Sequence, residues 1–205
     1  MNNKNFQTFF DCGSSKIRGG IFNKNNKNEA FYLENDFFND QSNLELKIEE
    51  MITTFEKNTN EYINSVNLMI DNSKMLSIGI SLFKKIDGLK LKQVNIQFLA
   101  QEAKQQILKY YSNHKILHII IKNYKIDNVD YSYLPHDLKC DFLSLDILFI
   151  CLPTDIVLYF KNIFSKSNIL INEIICCSYA KSINYKDDLN LTGYTTFIDV
   201  GFNRL

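Results

Sequence analysis

The sequence contains no tryptophan, only two prolines and only seven glycines among its 205 residues. It also lacks an excess of either charge, because 23 basic residues balance 23 acidic ones. A protein whose main partner is nucleic acid usually carries a basic surplus, so this balance argues against nucleic-acid binding. With 45% hydrophobic residues, the chain has enough apolar material for one large or two small domains.

Long apolar runs are missing as well. None approaches the roughly 20 residues that a transmembrane helix needs, and the opening MNNKNFQTFF is too polar for a signal peptide. We therefore expect a soluble chain. No two cysteines form a CxxC pair, and we expect reduced thiols in the core rather than a metal or redox site. The five cysteines are Cys12, Cys140, Cys151, Cys176 and Cys177.

Hydrophobic periodicity predicts alternating strands and helices in the first part of the chain. Residues 6–12 and 17–22 read as two strands joined by a tight turn, and residues 29–34 as a third strand. From Ser42 the apolar spacing becomes helical, and Ser42 with Glu45 fits a capping box. Strand character returns over residues 65–71.

The middle of the chain has its own order of elements. The pattern of residues 74–92 predicts alternating strands with a turn near Asp87–Gly88. A helix is predicted next, because apolar residues from Ile96 to Tyr110 would line one of its sides. Residues 115–121 predict a buried strand, and residues 122–145 a mixture of loop and strand.

The last part again predicts alternating elements. Residues 146–152 form a buried strand that Pro153 ends, and Thr154 can cap a helix over about 155–166. Strands are then predicted at 169–177 and at 195–200, the second running directly into Gly201. The middle region, roughly 73–167, could thus be an inserted subdomain.

The stretch FFDCGSSKIRGGIF has two apolar runs joined by a small polar turn. The turn suits a phosphate, because Gly13 permits close backbone approach and successive amides through Ser14 and Ser15 can form an anion-binding nest. The two hydroxyls add donors, and Lys16 adds a positive charge. Asp11, at the end of the first strand, is placed to hold a water molecule of hydrated Mg²⁺.

A second Asp-x-Gly sequence, Asp199–Gly201, would supply the opposite half of such a phosphate cradle. Neither the P-loop pattern G-x-x-x-x-G-K-[ST] nor the dinucleotide pattern G-x-G-x-x-G is present, so the cradle would sit on hairpins rather than on a helix start. The alternative is that D-x-G-S-S is an ordinary turn, since Asp, Gly and Ser are common turn residues.

Several stretches together resemble one family. FFDCGSSKIRGGIF resembles the phosphate-1 hairpin of the actin and sugar-kinase superfamily, and specifically that of the FtsA family of bacterial cell-division proteins. KILHIIIKNYKIDN (115–128) resembles the FtsA segment that follows the first long helix of the inserted subdomain. Residues 146–183 are similar to the strand, helix, strand and helix that lead back into the first subdomain, and FIDVG resembles the phosphate-2 strand.

The resemblance implies an α/β (α+β) fold with an actin-like, ribonuclease H-like subdomain 1A in two parts, residues 1–72 and 168–205. It places an FtsA-type, SHS2-like subdomain 1C between them, at residues 73–167. It further implies a site for ATP, with Mg²⁺ held through water by Asp11 and Asp199. The residues that would bind the nucleotide are Asp11, Gly13, Ser14, Ser15, Lys16, Asp199 and Gly201.

In the FtsA family, ATP acts mainly as a switch for polymerisation, with slow hydrolysis at most. The resemblance therefore implies self-association into filaments, recruitment of later division proteins through subdomain 1C, and a link between the FtsZ ring and the inner membrane. The second lobe, with its FtsZ site, and the C-terminal membrane helix lie outside these 205 residues. The implied location is cytoplasmic, on the inner face of the inner membrane at mid-cell.

Other functions stay open at this point. The family usually has small residues after the second Asp-x-Gly, whereas here Phe202, Asn203 and Arg204 follow. Such bulky side chains favour a scaffold without nucleotide, in which the cradle has decayed. A small-molecule kinase of the same superfamily is a further alternative, although it needs a catalytic carboxylate on the segment that the insert replaces.

The remaining candidate residues point to structure rather than chemistry. His114 and His118 have a spacing that suits a metal only within one helix, and they straddle a predicted change from helix to strand. Asp187–Asp188 fits a solvated turn. The aromatic stretch 129–135 fits either strand packing or a partner surface.

Overall fold

The computed structural model describes residues 5–13, 15–26, 28–36, 41–135, 138–191 and 195–198, without the side chains of residues 41 and 42. The chain divides into two compact units, residues 1–73 with 155–205, and residues 74–154. No helix within the described ranges is long and apolar enough to cross a membrane.

Nine strands and four helices make up the described part of the chain. In chain order they are β1 (Phe6–Cys12), β2 (Lys16–Asn23), β3 (Ala30–Asp36), α1 (Gln41–Thr59), β4 (Ser65–Ile70), β5 (Leu76–Lys85), α2 (Gln93–Tyr110), β6 (His114–Ile126), β7 (Val129–Tyr131), β8 (Phe142–Pro153), α3 (Thr154–Lys166), β9 (Leu170–Cys176) and α4 (Cys177–Asp188).

The first unit is built on a five-stranded sheet in the order β3-β2-β1-β4-β9. Strands β1, β2 and β3 form an antiparallel meander, whereas β4 pairs in parallel with both β1 and β9. The register places Cys12 beside Ile70, and Ile70 beside Cys176. The carboxyl ends of β1, β4 and β9 therefore meet at one edge of the sheet.

The core of the first unit lies between this sheet and helices α1 and α3. Phe10 on β1 is fully buried, with its ring centroid 6.3 Å from that of Phe55 on α1 and 5.4 Å from that of Phe164 on α3. Gly19 on β2 permits this packing, because a Cβ there would lie 2.7 Å from Met51 Cε. Helix α1 can thus lie close against the strand.

The second unit pairs an antiparallel sheet, in the order β5-β8-β6-β7, with helix α2. Alternate residues of the central strand β8 point into the core, and the apolar stripe of α2 covers them. The core residues are Ile86, Leu91, Ile96, Leu99, Ala103, Ile107, Ile126, Cys140, Leu143, Leu145, Ile147, Phe149 and Cys151. Strand–helix–strand order in this unit follows the order that the apolar periodicity predicts.

Some predicted elements have different bounds or types in the structure. Residues 74–92 contain one strand, β5, rather than several, and the turn after it has positive φ at Asp87 and Gly88. Helix α1 begins at Gln41, so Ser42 lies inside it. The predicted strand over 195–200 is wrong for residues 195–198, which form no strand; Phe197 instead stacks on Tyr185 of α4, at 5.9 Å.

Helix α3 belongs to the first unit, whereas the predicted insert extends to residue 167. The physical reason is that Phe164 packs on Phe10 of the first sheet. His114 and His118 both lie on strand β6, so they do not straddle a helix end. All five cysteines are free and buried, which confirms the prediction of core thiols.

Candidate functional site

The candidate site lies at the edge of the first sheet where strands β1, β4 and β9 end. In α/β sheets, ligands bind in the crevice outside the carboxyl ends of such strands. An acid stands there on two neighbouring strands, Asp11 near the end of β1 and Asp71 directly after β4. Helix α4 begins directly after β9, so its N-terminal amides lie at this edge too.

The turn between β1 and β2 is narrow and closes on itself. The Gly13 N–H donates to the Lys16 carbonyl, at 3.0 Å, and a Cβ on Gly13 would lie 3.1 Å from that same oxygen. Gly13 is exposed, so its backbone is open to a ligand. Because the Gly13 amide is already used within the turn, only the amides that follow it could meet a phosphate.

A ladder of exposed ion pairs runs across β1, β2 and β3 beside this turn. Arg18 lies opposite Asp11 in the register, and its Nη1 is 3.5 Å from Asp11 Oδ2. Its Nε donates to Glu34 Oε2 at 2.6 Å. Lys16 Nζ lies 2.6 Å from Glu34 Oε1 and 3.7 Å from Asp36 Oδ1. The positive charge predicted for a phosphate is therefore held by two acids of β3.

The ladder also shifts the ionisation of its members. The hydrogen bond from Lys16, followed by that from Arg18, lowers the pKa of Glu34 below its usual value, and the bond to Glu34 raises the pKa of Lys16. Both groups are exposed, and water screens exposed pairs so that each adds little to stability. Their main effect is to fix the side chains around the turn.

Asp71 forms a cap on helix α4 from a distant part of the chain. Its carboxylate accepts hydrogen bonds from the Ser178 amide, at 3.1 and 3.2 Å, and from the Ser178 hydroxyl, at 2.6 Å. The Cys176 thiol also lies 3.5 Å from Asp71 Oδ1. Since Cys176 at the N-cap position makes no side-chain cap of its own, Asp71 satisfies the helix terminus in its place.

The first residue of α4 connects Asp11 to the same cluster. Burial first, and then the negative charge of Asp11 and its hydrogen bond with the thiol, together raise the pKa of the Cys177 thiol to about 12. Asp11 therefore lies against the start of α4, and Asp71 caps that same helix turn. The edge carries two acids, so an anion such as phosphate would need a cation with it.

The structure brings only part of the predicted set together. Asp11, Gly13, Ser15 and Lys16 lie in one hairpin. Ser14, Asp199 and Gly201 lie outside the described residues, so the predicted meeting of the two Asp-x-Gly turns stays a prediction. Within the described ranges, no three His, Cys, Asp or Glu side chains form a group that could hold a metal ion directly.

Sequence reasoning missed Asp71, Ser178 and Arg18. One signal was present, because Asp71 follows a buried apolar strand as directly as Asp11 ends one. No local pattern links Asp71 to Ser178, since 107 positions separate them.

Replacing Asp71 with alanine should lower the free energy of unfolding by about 1–3 kcal/mol, because the N-terminus of α4 loses a charged acceptor. Asp71→Asn keeps an acceptor and should cost less. Urea unfolding followed by circular dichroism measures both. The control is Asp188→Ala at the other end of α4, which is exposed and should change stability by under about 0.5 kcal/mol. Equal costs for Asp71→Ala and Asp188→Ala would contradict the cap.

Stability should also fall as the pH rises above about 9. The folded state keeps the Cys177 thiol protonated up to a pKa of about 12, whereas the ordinary pKa is 9.0. The unfolded chain therefore loses this proton first, and this thiol alone lowers stability by up to about 1.4 kcal/mol per pH unit between those values. Urea midpoints at pH 7.5 and pH 10 measure the fall. Cys177→Ala should show a smaller fall, and an identical one would contradict the assignment.

Comparison with known proteins finds similarity in structure but not in sequence. No family model matches the chain, and no curated protein sequence matches it. A chain of the PilM–PilN type IV pilus biogenesis complex is similar over 89% of this chain and 51% of that chain, with a TM-score of 0.56 and 8% identity. A Bacteroides thetaiotaomicron protein with an actin-like ATPase fold and unknown function is similar over 90% and 57%, with a TM-score of 0.41 and 10% identity.

The likeness to the pilus chain shows the fold alone, a mixed α/β fold with two sheets. The second likeness is too low in TM-score to add to this argument. The chain spans about half the length of the solved chains that it matches. The predicted α/β fold class is thus supported, and the actin-like architecture stays a prediction.

Proposed function

We propose that this chain is the first lobe of an actin-like protein that binds Mg²⁺–ATP and assembles with itself and with protein partners. One observation supports the site most strongly: β1 and β9 both pair in parallel with β4, so the β1–β2 turn and the start of α4 lie at the same sheet edge. Successive turn amides bind phosphate in proteins. At the start of α4 the Ser178 amide already donates to Asp71, so the turn supplies the main phosphate donors.

The residues of the turn fit a magnesium nucleotide. Gly13 leaves no side chain at the tip, and the amides and hydroxyls of Ser14 and Ser15 would hold phosphate oxygens. Asp11, whose side chain is only 20% exposed, would hold a water of the hydrated ion, as Mg²⁺ usually takes one or two carboxylates. Asp199 and Gly201 would complete the cradle from the other side.

Lys16 has a smaller part in this proposal than its charge suggests. To bind a phosphate, its ammonium group would have to break its ion pair with Glu34 or contact Glu34 and the phosphate at the same time. The negative charges of Asp11 and Asp71 at the same edge would repel free phosphate. Mg²⁺ would offset this repulsion by neutralising part of the charge of the triphosphate. Nucleotide binding should therefore depend strongly on Mg²⁺, and hydrolysis is slow at most.

For the cell, we propose a role in division of the FtsA type: a protein on the cytoplasmic face of the inner membrane at mid-cell that links the FtsZ ring to the membrane and recruits later division proteins. The support is the resemblance of the hairpin 9–22, the segment 115–128 and the segment 146–183 to that family. Subdomain 1C would then be the unit of residues 74–154. The FtsZ and membrane contacts would be made by a second lobe and a C-terminal helix.

A second candidate is a role in pilus assembly, favoured by the similarity to a chain of the PilM–PilN type IV pilus biogenesis complex. Light microscopy of the tagged whole protein separates the two. A mid-cell band that disappears when FtsZ is depleted supports division. Foci that persist without FtsZ and vanish with the pilus machinery support the second candidate and contradict the first.

Two assays on the purified whole protein test the biochemical part. Pelleting in Mg²⁺–ATP, in ADP and without nucleotide should show assembly that depends on ATP. Incubation with ATP and a panel of sugars tests the small-molecule kinase alternative. A stoichiometric sugar phosphate would overturn the assembly role, and assembly that ignores nucleotide would favour the scaffold alternative.

A further inference from the structure

Strand β5 forms one edge of the second sheet, and within the described ranges it pairs only with β8. Its register with β8 runs from Leu76 to Lys85 without a shift. A strand at a sheet edge presents alternate N–H and C=O groups outward, and such an edge is a template for another strand.

The other sheet edges carry features that discourage pairing. Strand β3 has Glu34 and Asp36, β9 has Glu173, and β7 is only 3 residues long. In β5, by contrast, residues 76–83 contain no charge, no proline and no bulge. Natural proteins blunt an edge that must stay free, and this one is not blunted over most of its length.

Both faces of β5 also leave apolar surface uncovered. Toward α2, the side chains of Leu76, Ile78, Ile80 and Leu82 are only partly buried against the core. On the opposite face, Phe83 is 64% exposed and stacks on Phe142 at 5.6 Å. A further strand along this edge would cover both sets.

We propose that β5 pairs in antiparallel fashion with β5 of a second copy of this chain, around a two-fold axis at Ser81. In this register Gly79 lies opposite Phe83 of the other copy, and Ile80 lies opposite Leu82. The two four-stranded sheets become one continuous sheet. A two-fold contact of this kind is closed, because each copy offers the same strand to the other.

The register follows from the side chains along the strand. A Cβ on Gly79 would meet nothing within 4 Å, so a phenylalanine ring from the facing strand has room to cover that glycine. Lys84 and Lys85 face Ile78 and Ser77 of the other copy, so no lysines oppose each other. Both lysines already have partners within the chain, since Lys85 Nζ lies 2.6 Å from Asp87 Oδ1 and Lys84 Nζ lies 3.6 Å from the Phe98 ring centroid. A second copy supplies both the glycine and the phenylalanine that this register pairs.

This contact is independent of the nucleotide proposal, because β5 lies in the unit of residues 74–154 and the phosphate turn in the other unit. Dimers should form equally with and without Mg²⁺–ATP. Failure of one proposal therefore does not count against the other.

Disulfide trapping in the whole protein tests the axis. Ser81→Cys places two thiols opposite each other across the axis, within the reach of a disulfide. Ser77→Cys, on the same face of the same strand, is the matched control, because its two copies lie about 26 Å apart at about 3.3 Å per residue. The native cysteines are all buried, so they add little background.

Under mild oxidation, Ser81→Cys should form covalent dimer at least about tenfold faster than Ser77→Cys, because only the former meets disulfide geometry. Equal rates, or no dimer from either variant, would overturn the proposal.

Sedimentation equilibrium gives a second reading that needs no new thiol. Ser77→Glu would face Lys85 of the other copy and tighten the dimer, and Ser77→Lys would face the same lysine and loosen it. We expect the two dissociation constants to differ by about threefold to tenfold, as opposed charges on paired strands do. No difference, or the reverse order, would contradict this register.

Discussion

Replacing Phe10 with alanine should lower the free energy of unfolding by about 3–5 kcal/mol, the largest loss we expect from one substitution. Phe10 is fully buried between α1 and α3, where its ring meets Phe55 and Phe164 edge to face. Truncation removes a large apolar side chain and leaves a cavity between two helices and a strand that cannot close it. The first unit should unfold at a much lower urea concentration.

Phe9 provides the matched control for this prediction. It is the preceding residue on the same strand, points to the opposite face, and is only partly buried beside Phe22 at 5.8 Å. Phe9→Ala should therefore cost well under half as much as Phe10→Ala. Urea denaturation followed by fluorescence of the 11 tyrosines measures both, because the chain has no tryptophan. Equal costs would mean that the core does not lie on the Phe10 face.

The second large effect is expected from Gly13→Val. A Cβ at Gly13 would already lie 3.1 Å from the Lys16 carbonyl, and a branched side chain would also cover the turn amides that we assign to phosphate. We expect at least about a 100-fold loss of ATP affinity. At a concentration 100 times its dissociation constant, ATP should stabilise the native protein by about 2.7 kcal/mol, and the variant should lose most of this gain.

Thermal unfolding with and without Mg²⁺–ATP measures that gain. Gly79→Val is the control, because Gly79 lies within β5, in the other unit, and has open space around its Cβ position. It should keep the full ATP-dependent shift. A Gly13→Val protein that folds and still shows the full shift would remove the turn from the binding site.

Local patterns were enough to predict much of the fold. Alternation of apolar residues predicts the β1–β2 hairpin, and the helical spacing from Ile96 to Tyr110 predicts α2, because in both cases neighbouring residues share a face. The strand at Leu170–Cys176 was predicted within one residue at each end. Each of these elements is decided mainly by residues close together in sequence.

Features that depend on distant residues could not be predicted in this way. The Asp71 cap joins β4 to α4 after the chain has passed through the whole second unit. Lys16 looked available for a ligand because Glu34, which holds it, lies on another strand. Residues 195–198 read as a strand from their apolar pattern, yet Phe197 is used for packing on α4.

The most direct test of the proposed site is an equilibrium titration of the whole protein with labelled ATP, in the presence and absence of Mg²⁺, repeated with Asp11→Ala. We predict saturable binding at one site that requires Mg²⁺ and is lost in the variant. Absence of saturable binding by the intact protein, or binding that Asp11→Ala leaves unchanged, would contradict the assignment of the β1–β2 turn and its neighbouring strand ends as a nucleotide site.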